Sequence, residues 1–171
     1  TDGTTHRIDA VLTAGASYTL HEVSAPDGYC VAADQTFTVN ADGSLTSVKL
    51  TNLSTKVQIS KTTITGDTEL EGAKLEVRDL SGNALDSWTS GKETHMITAK
   101  LTAGQTYVLH ETAAPNGYVV ASDVPFVVNL DGTVTKVVMK DDTTKVEINK
   151  TTEDGTALKG AVLQLLDKDG K

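Results

Sequence analysis

Short stretches of alternating apolar and polar residues, separated by turn signals, run through the middle of the chain. The clearest are 57–61 (Val-Gln-Ile-Ser-Lys), 73–78 (Ala-Lys-Leu-Glu-Val-Arg) and 107–111 (Tyr-Val-Leu-His-Glu). Side chains alternate between the two faces of a β-strand, so this period of two predicts strands. Weaker or shorter versions of the pattern occur at 96–101, 126–129 and 133–139.

The turn signals between these stretches predict an all-β fold. Asp131-Gly132 separates two of the candidate strands and is a strong hairpin signal, because both residues tolerate a positive φ. Residues 84–89 lack a clear pattern and are predicted to form a loop. About seven short strands without helical periodicity indicate a small Greek-key β-sandwich. The 27 threonines favour the same conclusion, since β-branched residues suit strands.

The chain repeats itself at an offset of 89 residues. Tyr18-Thr-Leu-His-Glu22 recurs as Tyr107-Val-Leu-His-Glu111, and residues 1–60 match residues 90–149 at 30 of 60 positions. A period of this length is too long for a solenoid repeat and fits tandem small domains.

The repeat divides the chain into three parts. The leading segment (residues 1–53) is predicted to be the later part of one repeat without its first strands. The central unit (residues 54–142) is predicted to be a complete repeat, and the trailing segment (residues 143–171) to hold the first strands of the next. Together the two end segments cover a repeat except for the equivalent of residues 84–89. Either the chain is a window on a longer array, or the trailing segment of one copy complements the leading segment of another.

Three ionisable side chains of the central unit fall on core-facing strand positions: Lys61, Glu111 and Asp141. Each follows apolar residues two and four positions before it, so all share a face with the core. The same parity places Glu22, Asn52 and Lys150 on core-facing positions of the end segments. An isolated buried charge is costly, so such groups must be paired, neutralised or reacted. The alternative is that each lies at a strand end and reaches solvent.

Charge and composition exclude several functions. With 23 acidic and 15 basic residues the net charge is −8, which argues against nucleic-acid binding. No apolar run is long enough to predict a membrane span. The single cysteine, Cys30, excludes a disulfide within the chain and takes the place of Val119, so we expect a small buried side chain there. The four histidines lack metal-ligand spacing, and neither a metal nor a cofactor is expected.

The chain resembles the B-type repeats of collagen adhesins, which are SpaA-like, prealbumin-like domains with an inverse immunoglobulin topology. The resemblance is carried by the Lys61 strand, by Leu70-Glu-Gly-Ala-Lys-Leu-Glu-Val-Arg-Asp79 and by Tyr107-Val-Leu-His-Glu-Thr-Ala-Ala-Pro-Asn-Gly-Tyr118. Such domains build stalks and pilins on Gram-positive bacteria. The resemblance implies an extracellular, cell-wall-anchored location and a structural, non-enzymatic role.

The same resemblance implies a covalent site. In this family a lysine of the first strand joins an Asp or Asn of the last strand in an intramolecular isopeptide bond, and a buried glutamate promotes the reaction. Carried over by position, Lys61 is the nucleophile, Asp141 the acyl partner and Glu111 the catalytic acid. The end segments supply Glu22, Asn52 and Lys150, from which we expect a Lys150–Asn52 bond between copies.

Two rival functions remain open from the sequence. The chain could be an adhesive module that binds a host extracellular-matrix protein, or a transthyretin-like accessory domain of a secreted enzyme. Against adhesion, Trp88 is the only tryptophan and aromatic residues make up 4% of the chain. The expected partners of a stalk module are other copies or adjacent repeats of the same protein, without nucleic acid and without membrane insertion.

Overall fold

The computed structural model describes residues 3–171, and the secondary structure it contains there is nine β-strands without a helix. The strands are β1 (Ser17–Leu20), β2 (Gln35–Thr38), β3 (Lys56–Thr63), β4 (Lys74–Arg78), β5 (Ala84–Thr89), β6 (His95–Thr98), β7 (Thr106–Ala113), β8 (Val124–Val127) and β9 (Val134–Asp141). The all-β prediction is therefore confirmed.

The central unit contains seven of these strands in two sheets. One sheet has the order β6-β3-β9, and the other has the order β5-β4-β7-β8. The first and last strands, β3 and β9, are parallel neighbours over their whole length, from Lys56 opposite Val134 to Thr63 opposite Asp141. This parallel pairing places the first and last strands of the unit side by side, with β3 in the middle of the three-stranded sheet and β9 at its edge.

A single hydrophobic core lies between the two sheets. Strands β3, β7 and β9 alternate between buried and less buried residues, as the period-two pattern predicts. The core is formed by apolar residues from both sheets, among them Val57, Ile59, Leu75, Leu109 and Met139. Removal of these side chains from water is the main favourable contribution to folding of the unit.

The predicted loop at residues 84–89 is wrong, because these residues form β5 at the edge of the four-stranded sheet. Here Asp86 and Trp88 are the less exposed positions, and the other four residues of the strand are exposed. A polar residue on the inward side interrupted the apolar alternation, so the sequence pattern did not indicate a strand.

The leading segment contains a two-stranded antiparallel sheet, with Ser17 opposite Thr38 and Leu20 opposite Gln35. The rings of Tyr18 and Phe37 lie 6.1 Å apart with an interplanar angle of 33°. Tyr107 and Phe126, their equivalents, lie 6.1 Å apart with an angle of 35°. The repeat therefore holds in side-chain packing as well as in sequence.

The trailing segment is exposed throughout residues 143–171, and its β-structure is limited to isolated bridges such as the one between Thr151 and Ala157. Val146 is 84% exposed and Ile148 63%. Within residues 3–171 no helical segment has the length and hydropathy needed to cross a membrane.

Candidate functional site

Lys61, Glu111 and Asp141 are all buried in the core of the central unit. Their exposures are 1%, 1% and 0% respectively. They come from three different strands, β3, β7 and β9, at the inward positions that the parity of each strand predicts. Snorkelling to solvent, the alternative left open by the sequence, does not occur at any of the three.

The lysine amine lies between the two carboxyl groups. Lys61 Nζ donates a hydrogen bond to Asp141 Oδ1 and lies 3.1 Å from Glu111 Oε1. The second oxygen of Glu111, Oε2, accepts a hydrogen bond of 2.6 Å from the backbone N–H of Ala121. That bond fixes the Glu111 side chain to the loop before β8, which contains Ala121, and directs its other oxygen towards the amine.

Two buried oxygens of the cluster, Glu111 Oε1 and Asp141 Oδ2, have no hydrogen-bond partner among residues 3–171. Glu111 Oε1 is close to the ammonium group but lacks hydrogen-bond geometry with it. Buried polar atoms are almost always satisfied, so two unsatisfied oxygens in one cluster set it apart from the rest of the core.

The charges of the cluster do not balance if all three groups are ionised, because two carboxylates surround one ammonium. Desolvation favours the neutral forms of amines and carboxylic acids in an apolar interior. The surroundings are apolar: Met139 lies opposite Lys61 in the β3–β9 pair, and Leu75 lies opposite Glu111 in the β4–β7 pair. An amine, a carboxylic acid and a second acid that can carry protons are the groups that amide formation requires.

Glu69 is a site residue that the sequence patterns did not identify. Its Oε2 accepts a hydrogen bond of 2.9 Å from the backbone N–H of Lys61, and its Oε1 accepts one of 2.5 Å from Ser60 Oγ. The N–H of Leu70 donates to Lys61 O at 2.6 Å. Glu69 therefore fixes the backbone that carries the lysine, although no motif or parity rule marks it.

The leading segment contains half of an equivalent site. Glu22 Oε2 accepts hydrogen bonds of 2.6 Å from Ala32 N–H and of 2.6 Å from Asn52 Nδ2. Asn52 Nδ2 also donates to Cys30 O at 3.0 Å. Ala32 is the repeat equivalent of Ala121, so both glutamates bind the same backbone position. Glu22 and Asn52 are half-buried rather than buried.

The structure does not bring Lys150 to this half-site within one chain, since Lys150 is exposed in the trailing segment. One backbone hydrogen bond at Lys150 nevertheless matches one at Lys61. The N–H of Leu158 donates to Lys150 O at 2.9 Å, as the N–H of Leu70 does to Lys61 O. Ala157 occupies the position of Glu69, so the carboxylate that fixes Lys61 has no equivalent at Lys150.

A family model described as SpaA: Prealbumin-like fold domain matches residues 1–54 and 55–143. The chain belongs to this family. The two matched ranges make it a tandem array of SpaA prealbumin-like domains, as the repeat of 89 residues predicts.

Three solved structures illustrate the matches found by structural comparison. The Bacillus anthracis TIE protein matches at 24% identity with a TM-score of 0.51, over 75% of this chain and 25% of that one. The shaft pilin SpaA of Lactobacillus rhamnosus GG, as a D295N mutant, matches at 18% identity and a TM-score of 0.45, over 75% and 65% of the two chains. The group B streptococcus pilus 2b backbone protein matches at 16% identity and a TM-score of 0.44, over 72% and 52%. The chain thus spans a quarter to about two-thirds of these proteins. No curated protein matches it.

Proposed function

We propose that the chain is a structural stalk or pilus module, stiffened by an autocatalytic amide bond between Lys61 and Asp141. The observation that carries the proposal is the buried amine of Lys61, held between the carboxyl groups of Asp141 and Glu111. Such a module would act outside the cell on the wall of a Gram-positive bacterium, with further repeats or copies of the same protein as its partners.

The bond forms by condensation. The neutral amine of Lys61 attacks Cγ of Asp141, the new N–Cγ bond replaces a C–OH bond, and one water leaves. Glu111 takes a proton from the attacking amine and returns one to the departing hydroxyl, so that no net proton is gained or lost. The reaction happens once in each unit, so the protein is not an enzyme.

Folding supplies what an activating cofactor would otherwise provide. The Glu69 side chain holds the backbone of Lys61, and the backbone N–H of Ala121 holds the side chain of Glu111. These bonds place the reacting groups in contact before the reaction. Well-oriented intramolecular partners have effective concentrations far above any in solution. The apolar surroundings keep competing water away from the reacting groups.

The product fits a load-bearing role. Lys61 and Asp141 are 80 residues apart in sequence, so the bond closes nearly the whole unit into a covalent ring. The chain-entropy model of a cross-link gives about 4.5 kcal/mol of stabilisation for such a loop. Because the bond links the first and last strands, tension passes between them without crossing the hydrophobic core.

The end segments extend this proposal from one copy to the next. The trailing segment of one copy would insert as the first strands of the leading segment of another, where Lys150 would attack Asn52 beside Glu22 and release ammonia. The exposed Val146 and Ile148 would then be covered. The rebuilt repeat would lack the edge strand β5, which lies at the border of its sheet rather than in the middle.

Intact mass under denaturing conditions tests the central bond. The unmodified chain should weigh about 18 Da less than its sequence requires, the mass of one water. Glu111→Gln should restore the full mass, whereas Glu22→Gln, the equivalent change in the leading segment, should retain the deficit. A full mass for the unmodified chain would refute the amide, and a deficit in Glu111→Gln would refute the role of the glutamate.

A further inference from the structure

The leading segment and the central unit meet in a close contact of backbone groups. Thr55 N–H donates to Gly28 O at 2.9 Å, and Thr55 Oγ1 donates to Leu101 O at 2.7 Å. Thr102 Oγ1 donates to Asp27 Oδ1 at 3.0 Å. We call residues 26–28 the junction turn and residues 99–102 the junction shelf.

The turn and the shelf fit so closely that a side chain at Gly28 has no room. A Cβ at Gly28 would lie 2.4 Å from Ala99 O, well inside contact distance. Ala99 itself has a φ of 52°, and Ala10 (φ 57°) is the only other non-glycine residue with a positive φ among residues 3–171. An L-residue in this region costs energy, so the shape of the shelf is imposed by the structure around it.

The junction turn has a second copy at Pro115–Gly117. The N–H of Tyr118 donates to Pro115 O at 3.1 Å, as the N–H of Tyr29 does to Pro26 O. Thr144 N–H donates to Gly117 O at 2.9 Å, the same distance as from Thr55 to Gly28. A Cβ at Gly117, however, would have no atom within 4 Å.

The junction shelf also has a second copy, at residues 10–13. Ala10 repeats the positive φ of Ala99. The N–H of Thr13 donates to Tyr18 Oη at 3.0 Å, as the N–H of Thr102 does to Tyr107 Oη at 2.9 Å. The junction turn and the junction shelf therefore contact each other within the chain. The second shelf, in the leading segment, and the second turn, in the central unit, are mostly exposed.

We propose that the Pro115–Gly117 turn of one copy docks on the 10–13 shelf of a second copy, in the geometry of the internal junction. The inference rests on the proposed head-to-tail stalk and identifies the surface that sets the angle between copies. Asn116 would replace Asp27 and accept a hydrogen bond from the Thr13 hydroxyl, which keeps the polar contact without a charge.

Exposed apolar surface near the turn supports the same docking. Val119 is 51% exposed, whereas its equivalent Cys30 is 2% exposed and lies with its Sγ 3.7 Å from Asn129 O. Docking would place Val119 against Asn40, the equivalent of Asn129. One contact differs between the two junctions. At the internal junction Leu53 packs against Gly132, whereas at the joint between copies the equivalent of Leu53 is Asp142. The joint between copies is therefore more polar than the internal junction.

Disulfide trapping tests the contact. In a Cys30→Val background, chains with Asn116→Cys are mixed with chains with Thr13→Cys under mild oxidation. The internal pair Asp27→Cys with Thr102→Cys is the positive control for geometry, because these side chains are in hydrogen-bond contact. Chains with Ser81→Cys, in the exposed β4–β5 turn, replace the Thr13→Cys chains as the mismatched control.

We expect about tenfold more Asn116–Thr13 heterodimer than mismatched heterodimer, since thiols not held within disulfide reach meet only by random collision. Adding Gly117→Asn should reduce the yield to the mismatched level, because asparagine tolerates a positive φ but its side chain would meet the shelf. Gly82→Asn is the matched control, with a φ of 87° against 88° and no atom within 4 Å of its Cβ position. Equal yields from matched and mismatched pairs would overturn the docking.

The same samples separate this inference from the proposed function. The trapping is repeated with Lys150→Ala, in which no Lys150–Asn52 bond can form, and the mass of each chain is measured for the Lys61–Asp141 bond. A specific heterodimer without any mass deficit supports the docking and refutes the amide. A mass deficit with no specific heterodimer in either background supports the amide and refutes the docking.

Discussion

The leading segment and the central unit hold the same glutamate in two different environments. Glu22 and Glu111 each accept a hydrogen bond of 2.6 Å from the equivalent alanine N–H. Glu111 is 1% exposed, whereas Glu22 is only half-buried. The position of the carboxylate is therefore determined locally, by a strand and the loop after it. Its burial requires the strand that carries the lysine.

The comparison also separates two properties of the site, the placement of its side chains and their burial. In the leading segment the side-chain amide of Asn52 contacts Glu22, so the proposed acyl partner and its glutamate are in place without a lysine. In the central unit, β3 carries Lys61 and also covers the glutamate from solvent. The strand that carries the amine therefore also completes the apolar surroundings of the site.

The largest effect is expected on the proposed bond between copies, in which Lys150 of one copy attacks Asn52 of another. Covalent multimers of the unmodified chain should survive boiling in detergent and reductant, because an amide is not reduced. Lys150→Ala should abolish them, since it removes the amine that would attack Asn52. Lys145→Ala, on the same segment but out of phase with Val146 and Ile148, should leave them unchanged. Multimers that persist in Lys150→Ala, read on a denaturing gel, would rule out this bond.

The next effect is the stability of the central unit. Glu111→Gln should lower the free energy of unfolding by about 4.5 kcal/mol, because the uncross-linked chain regains the loop entropy of its unfolded state. The measurement is equilibrium denaturation followed by the fluorescence of Trp88. Glu22→Gln should leave this transition nearly unchanged. A loss of similar size in both variants would show that hydrogen bonding, not the amide, accounts for the stability.

The main site residues could be predicted from the sequence because burial on a strand follows a strict period of two. Lys61, Glu111 and Asp141 each continue an apolar alternation, and the structure places all three in the core. Glu69 could not be predicted, because its hydrogen bonds to Ser60 and Lys61 depend on the path of a loop. The alternation does not indicate strand β5 for a related reason. Asp86 occupies an inward position, and its partners, His95 and Lys100, lie outside its own strand.

A smaller effect distinguishes the two equivalent tyrosines. Tyr107 Oη accepts the N–H of Thr102 at 2.9 Å and is buried, so Tyr107→Phe leaves that N–H without a partner. The expected loss of stability is about 1–3 kcal/mol. Tyr18 makes the equivalent bond to Thr13, where water can replace the hydroxyl, so Tyr18→Phe should cost less. Equal losses, measured by thermal unfolding, would contradict the difference in burial between the two segments.

The smallest effect concerns an ion cluster of the central unit that is not found among residues 3–53 of the leading segment. Asp86 on β5 accepts hydrogen bonds from Lys100 Nζ at 2.8 Å and pairs with His95 Nε2 at 2.7 Å. His95 also stacks on Trp88, with ring centroids 4.0 Å apart. Burial acts to raise the pKa of Asp86, but the hydrogen bonds from Lys100 and His95 outweigh it and hold the pKa below its ordinary value.

A carboxyl group with a lowered pKa stabilises the folded state above its unfolded pKa and loses this contribution as the pH falls through its folded pKa. Asp86→Asn should therefore cost about 1 kcal/mol near neutral pH, the ordinary value of a partly buried pair. The difference from the unmodified chain should shrink below about pH 4, where the unfolded carboxyl is already protonated. His6, the exposed equivalent of His95, provides the control: His6→Ala should have no effect at any pH. Denaturation curves from acid to neutral pH measure both, and a cost of Asp86→Asn that does not change with pH would show that packing, not charge, joins β5 to β6.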